Sequence, residues 1–363
     1  MAKRVSVDSW LFTVTLFLIF IGLVMVFSAS AVMAKERYGS GYFFVLRQLG
    51  WATAGILAMV LAMKVDYRRY KHPAVVFSLL GLTTLMLISV FFLDRTHHTH
   101  RWIHWGPLSL QPSEMAKPAL ILFLAFFLEG RTKTMKDWRN TVLPAAVPTL
   151  IFIALIVFQP DLGTAIACAA ITGCVFFVAG LDLRVLGYAF VASLLPLYFL
   201  IFHVAYRRDR ILAFLDPYSD PQGRGFHIIQ SLIAVSTGGI TGVGLMEGKQ
   251  KLFYLPEPHT DFIFAVTAEE LGLVGALVIV LLFGIFLWRG IRTALRTEDM
   301  FGRFLAVGIT SMIVVQAFIN ISVVLGMMPT KGIPLPLVSY GGSSLLVTLG
   351  CIGVLLNISK QAE

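Results

Sequence analysis

Residues 256–288 read PEPHTDFIFAVTAEELGLVGALVIVLLFGIFLW. A polar, proline-punctuated loop reaches Asp261, and a long, mostly apolar run, 262–288, begins directly after it. Such a run exceeds the ~20 residues a helix needs to cross a bilayer. Two more carboxylates, Glu269 and Glu270, lie inside it. An ionisable group within a spanning helix costs roughly 2.5–3.5 kcal/mol on insertion scales, so each acid calls for a partner, a proton or a wet cavity. The stretch therefore announces both a membrane fold and a place where that fold holds charge.

The rest of the chain has the same character. Of 363 residues, 57% are hydrophobic and 13% charged, with a mean hydropathy of +0.82. Ordinary soluble domains are about a quarter charged. Ten apolar segments qualify as spans: 10–33, 43–63, 73–93, 114–129, 142–158, 163–181, 185–204, 262–288, 304–326 and 341–358. The first ends in SASAVMA, which imitates a cleavage site, but its apolar core is longer than that of a signal peptide. The expected fold is an all-α polytopic membrane protein of ten transmembrane helices. It forms one transmembrane domain over 1–363, with a large extracytoplasmic loop at about 205–261 between spans seven and eight.

Lysine and arginine clusters at 3–4, 64–72, 130–141 and 289–303, with Lys360, fall on one side of this pattern. Half the basic residues of the other side lie in the long loop, which weighs little in setting topology. Both termini are therefore expected in the cytoplasm. The net charge of +9 is ascribed to topology and anionic lipid, with no nucleic-acid partner. Cys168, Cys174 and Cys351 all fall in spans without metal-ligand spacing.

With that orientation the unusual residues collect on the outer side: RWIHWGPLSLQPSEMAK (101–117), QPDLGT (159–164), the 205–261 loop and PTKGIPLPLVSYGGSS (329–344). Irregular backbone near membrane depth persists only against protein or a wet cavity, so several loops are expected to build an outward-facing cavity. Glu114 and Lys117 share a helix face as a structural ion pair or a cavity-lining one. Asp261, or Thr260 before it, is read either as an N-cap of span eight or as a functional acid. Asp161, Asp261 and Glu269 are expected to face one pocket. His97, His98, His100 and His104 are read as an exposed polar loop ahead of a metal site. Lys331 is an anion ligand or interfacial anchor, and the Tyr340–Ser343 turn opens a helix N-terminus toward an anion.

In order along the chain, SAS in the first span, RW…QPSE…K, QPDLGT, YRRDR…LDP, GFHIIQS, LPEPHTDFIFAVTAEELGLVG and PLPLVSYGGSS resemble the SEDS family of integral membrane peptidoglycan glycosyltransferases. GMMPTKGIPLPLVSYGGSSLL is more similar to the division (FtsW) branch than to the elongation (RodA) branch. The resemblance implies polymerisation of lipid II into glycan strands on the outer face of the bacterial cytoplasmic membrane, at the division septum. Transfer would invert the anomeric carbon and release undecaprenyl pyrophosphate. It implies Asp261 as the catalytic acid, acting as general base or as ligand of a divalent cation, Mg or Mn, with no organic cofactor. Arg101, Arg210 and Lys331 become candidates for the pyrophosphate, and Trp102 for a sugar. Glu114, Lys117, Gln159, Asp161, His259, Thr260, Glu269, Ser339 and Gly341 are placed as supports of the cavity. A class B penicillin-binding protein and other divisome membrane proteins are the implied partners. An elongation-type polymerase of the same family, a lipid II flippase or transporter, and a division scaffold remain as rival readings.

Overall fold

Apolar runs of this length leave the backbone one way to satisfy its own polar groups in lipid, and that is helix. The computed structural model describes residues 7–93, 101–105 and 108–362. In it the chain folds as α1 (Ser9–Tyr38), α2 (Phe43–Lys64), α3 (Pro73–Leu93), α4 (Pro112–Leu128), α5 (Leu143–Phe158) and α6 (Leu162–Val178). After these come α7 (Leu183–Phe202), α8 (Ala205–Leu215), α9 (Phe226–Gly238), α10 (Ile263–Arg296), α11 (Met300–Val324) and α12 (Gly342–Gln361). Each of the ten expected apolar segments is a helix. Among the described residues, eight helical segments are long and apolar enough to cross a membrane, while α4 and α6 have 17 residues each, the lower end of the spanning range. The chain is an integral membrane protein.

Local chemistry sets several helix starts. Asp8, Asp161, Asp182 and Asp299 cap α1, α6, α7 and α11, each carboxylate accepting from a backbone N–H of the first turn. Side-chain caps of this kind contribute about 1 kcal/mol each. Two short strands, β1 (Ile103–Trp105) and β2 (Leu108–Leu110), pair antiparallel ahead of α4. The cluster His97, His98 and His100 lies outside the described residues.

Two expectations change. The 205–261 loop is not loop throughout, because α8 and α9 occupy much of it. Span eight is also broken: Gly272 has φ 65° and ψ −164° inside α10, a conformation that suits glycine. The break frees the Glu269 and Glu270 carbonyls, which accept from Val243 and Gly244 N–H groups of the segment after α9.

The main core runs through α1, α2, α4, α10, α11 and α12, with Leu11, Met59, Leu124, Phe264, Phe286, Phe304 and Leu355 sealed inside. By contrast α7 has no buried residue. Its Tyr188, Phe190, Val191 and Leu195 are exposed, as suits a helix facing lipid.

Candidate active site

Several separate parts of the chain meet around a cavity of about 380 Å³, and a second chamber of about 470 Å³ adjoins it. The first is walled by the ends of α6, α7 and α8, by Arg101 and by the 329–332 turn. Leu162, Ile166, Leu197, Ile201 and Ile211 make one side of it apolar. The second is more acidic, with Asp209, Asp220 and Glu257 in its wall alongside Arg224 and His227. Arg210, Asp261, Thr330, Lys331 and Gly332 belong to both. Asp261 thus stands where the two chambers join.

The capping reading of Asp261 is overturned. Phe262 occupies the N-cap position of α10 and makes no side-chain cap. Asp261 is therefore spared for the cavity, and among the described residues no hydrogen bond reaches its carboxylate. Burial pushes its pKa up to about 7, helped by Glu257 and opposed by Arg210 and Arg101. Removing a carboxylate from water disfavours its charged form. Gly332 approaches so closely that a Cβ there would lie 2.9 Å from Asp261 Oδ2.

The cations divide into spent and available. Arg207 is spent, its guanidinium donating to the Leu200 and Val157 carbonyls and the Tyr206 hydroxyl. Arg101 donates to the Gln159 and Pro160 carbonyls, holding the QPD turn against the cavity. Arg210 lies over the Tyr206 ring at 5.7 Å. Lys331 forms no ion pair among the described residues, and burial brings its pKa down to about 8, with Arg210 adding to the shift. At neutral pH it keeps its proton.

The other expected residues take supporting places of different kinds. Asp161 lines the cavity while its carboxylate accepts from Thr164, Gln111 and Ser113. Glu114 and Lys117 are a buried pair at 2.9 Å. Ser344 also donates to Glu114, and Lys117 donates to Gln316. They brace the core behind the cavity and do not line it. Gln159 is buried and ties α5 to α3 through the Leu87 carbonyl. His259 packs between the Phe44 and Tyr340 rings, and burial lowers its pKa to about 4, so it stays neutral. The Ser339 hydroxyl donates to the Thr260 carbonyl, and the Gly341 N–H donates to Gln48. Trp102 lies outside the residues lining either chamber.

Glu269 is the clearest misplacement. It does not share a pocket with Asp161 and Asp261. Its carboxylate accepts from the backbone N–H groups of Lys249 and Gln250. Next to it Glu270 meets Lys251 at 2.6 Å, together with Ser28 and the Met246 N–H. The two acids clasp the 239–251 segment to the bend in α10. Sequence reasoning also missed Gly332, Arg207, Gln316 and Asn320. Gln316 and Asn320 had a legible signal, two amides four residues apart on one face of an apolar span.

Residues 8–363 match the FtsW/RodA/SpoVE family, described as cell cycle proteins. A relative from Geobacter metallireducens, described as probable peptidoglycan glycosyltransferase FtsW, is 45% identical over 94% of this chain and 92% of its own length. Stage V sporulation protein E of Bacillus subtilis is 44% identical over 99% of both chains. Among solved structures, a chain from a study titled "Structural coordination of polymerization and crosslinking by a peptidoglycan synthase complex" superposes with a TM-score of 0.81. It is 33% identical and covers 98% of each chain.

Proposed function

The chain belongs to the FtsW/RodA/SpoVE family of cell cycle proteins, and we infer that it is a peptidoglycan glycosyltransferase of the division type. Its substrate on this reading is lipid II, polymerised on the outer face of the cytoplasmic membrane at the septum. The observation that carries the reading is the place of Asp261. A carboxylate with a pKa near 7 stands at the junction of two chambers, with Lys331 and Arg210 in the lining of both.

The chemistry follows from that placement. The GlcNAc 4-hydroxyl of the acceptor attacks the anomeric carbon of the donor. As the new C–O bond forms, the bond to pyrophosphate breaks on the opposite face, and the hydroxyl proton passes to Asp261. A base works best with a pKa near the operating pH, and burial supplies that value here. Lys331 and Arg210, with Arg101 at the cavity wall, meet the charge that develops on the leaving pyrophosphate. The apolar side formed by Leu162, Ile166, Leu197 and Ile201 suits the polyprenyl chain of the donor. The acidic second chamber suits the uncharged, hydrogen-bonding sugars of the acceptor.

Among the described residues no three His, Cys, Asp or Glu side chains gather as a metal cage. A Mg or Mn ion would instead take Asp261 together with substrate phosphate oxygens, as hard cations do, and would add Lewis-acid stabilisation of the leaving group. The likeness to a chain of a synthase complex that polymerises and crosslinks supports a crosslinking partner, of the class B penicillin-binding type.

The test is polymerisation of labelled lipid II by the purified protein with that partner. Asp261→Asn should lose activity by about 10³-fold or more while complex formation persists. Glycan chains made at the wild-type rate by that variant would overturn the reading. Translocation of lipid II without polymer would favour a flippase instead.

A further inference from the structure

Three successive carbonyls of the acid-bearing loop are gripped by the C-terminal part of the chain. His259 O accepts from the Tyr340 N–H at 2.9 Å and Thr260 O from the Ser339 hydroxyl at 2.5 Å. Asp261 O accepts from the side-chain amide of Asn320 at 2.8 Å. The third bond differs from the other two because the same nitrogen also donates to Ile333 O at 2.7 Å. An asparagine amide has two N–H donors, so both are used, one on each loop. The reverse amide orientation would set an oxygen against two carbonyl oxygens.

We propose that Asn320 is a positioning residue for the transfer reaction, its amide setting Asp261 at a fixed distance from the Lys331–Gly332 turn.

The inference rests on Asp261 being the reacting acid. The Asp261 carbonyl carbon and its Cβ share one Cα, so holding the carbonyl holds the root of the side chain. Ile333 O lies one residue beyond Gly332, whose backbone passes against the Asp261 carboxylate, and two beyond Lys331. One amide thereby spaces the proton acceptor from the cation that meets the leaving group. Asn320 is 2% exposed, and its Oδ1 has no partner among the described residues. Burying an unpaired acceptor is costly, which marks the residue as kept for its donors. The neighbour one turn earlier repeats the device more weakly: Gln316 donates to Pro334 O while accepting from Lys117.

The test compares Asn320→Leu, similar in volume and without donors, with Asn357→Leu in the same complex. Asn357 is an equally buried asparagine on α12 that bridges the Tyr67 N–H and the Met63 carbonyl, remote from the cavity. Asn320→Leu should lower kcat for lipid II polymerisation by about 30-fold or more, in line with the cost of misplacing a catalytic group by about 1 Å. Its KM should stay within about threefold, the mark of an interaction felt in the transition state and not in binding. Asn357→Leu should lower Tm at least as much and leave kcat per folded complex within threefold. If Asn320→Leu leaves too little folded complex, Asn320→Ser keeps one donor and should still lose about tenfold in kcat. The proposal is overturned if kcat per folded complex stays within threefold of wild type in the Asn320 variants, or if their KM rises while kcat holds. Asp261→Asn run in parallel separates the two failures. Were it fully active, the reading of Asp261 would fail and take this one with it. Were it dead while the Asn320 variants were normal, only the positioning role would fall.

Discussion

On one side of the cavity, the loop carrying Asp261 is bonded carbonyl by carbonyl to α11 and to the 333–340 segment, with Ile333 and Leu335 buried beneath it. On the other side α7 lends Leu197 and Ile201 to the wall without burying a residue. Between them α8 is anchored by Arg207, whose three bonds lead to the ends of α5 and α7 and to Tyr206. The contrast separates two duties. The acid must meet its target within a fraction of an ångström, and it sits where the fold is most constrained. A large lipid-linked substrate needs a boundary that yields at small cost, and α7 is held by little besides what surrounds the protein.

The comparison can be broken by experiment. The largest effect should come from the charges facing the leaving group. Lys331→Gln should cut kcat by about 10²-fold or more, as removal of a preorganised stabilising group does, with Arg210→Gln close behind. Arg207→Gln, whose guanidinium is spent on carbonyls, should appear first as lost folded complex. Equal behaviour of Lys331 and Arg207 in polymerisation and thermal-shift assays would erase the division between spent and available cations.

Next come the two walls themselves. Ile333→Ala on the constrained wall should destabilise by about 2–5 kcal/mol, the usual cost of truncating a buried large aliphatic side chain. Leu197→Ala, on a helix with nothing buried, should cost under about 1 kcal/mol. Denaturation of the purified protein in detergent measures both, and similar losses would remove the asymmetry. A smaller effect is expected at Gly332. Its added methyl would press on the Asp261 carboxylate, so Gly332→Ala should lower kcat about tenfold at nearly unchanged Tm.

The finest probe is pH. Below about 7 Asp261 takes up a proton and can accept no other, so the rate should fall toward acid. Above about 8 Lys331 loses its charge and the rate should fall again. The expected profile is a narrow bell, declining about tenfold for each pH unit beyond either limb. Lys331→Arg should extend the alkaline limb, because arginine keeps its proton at any accessible pH. A profile flat from pH 6 to 9 would deny both shifts.

The helices were legible because lipid imposes a one-dimensional rule: a run of apolar residues about 20 long becomes helix wherever it occurs. The ten apolar segments could be read directly, as could the gathering of prolines, glycines and polar residues into a few connecting loops. Asp261 and Lys331 stood out for the same reason, as charges at the mouths of greasy segments. What each acid does was not legible. Asp261, Glu269 and Glu270 lie within ten residues, yet one opens on a cavity and two accept from backbone amides of a returning loop. The bend at Gly272 and the fold-back of 239–251 decide that, and neither is a property of local sequence. Asn320 is the extreme case. In the sequence it is one of two amides in a mostly apolar helix, and in the fold its two donors join loops 72 residues apart. Membrane burial acts on each segment separately and so is written along the chain. Hydrogen-bond partners and the desolvation that lifts a carboxylate toward pH 7 depend on which segments meet, and that is settled only when the helices pack.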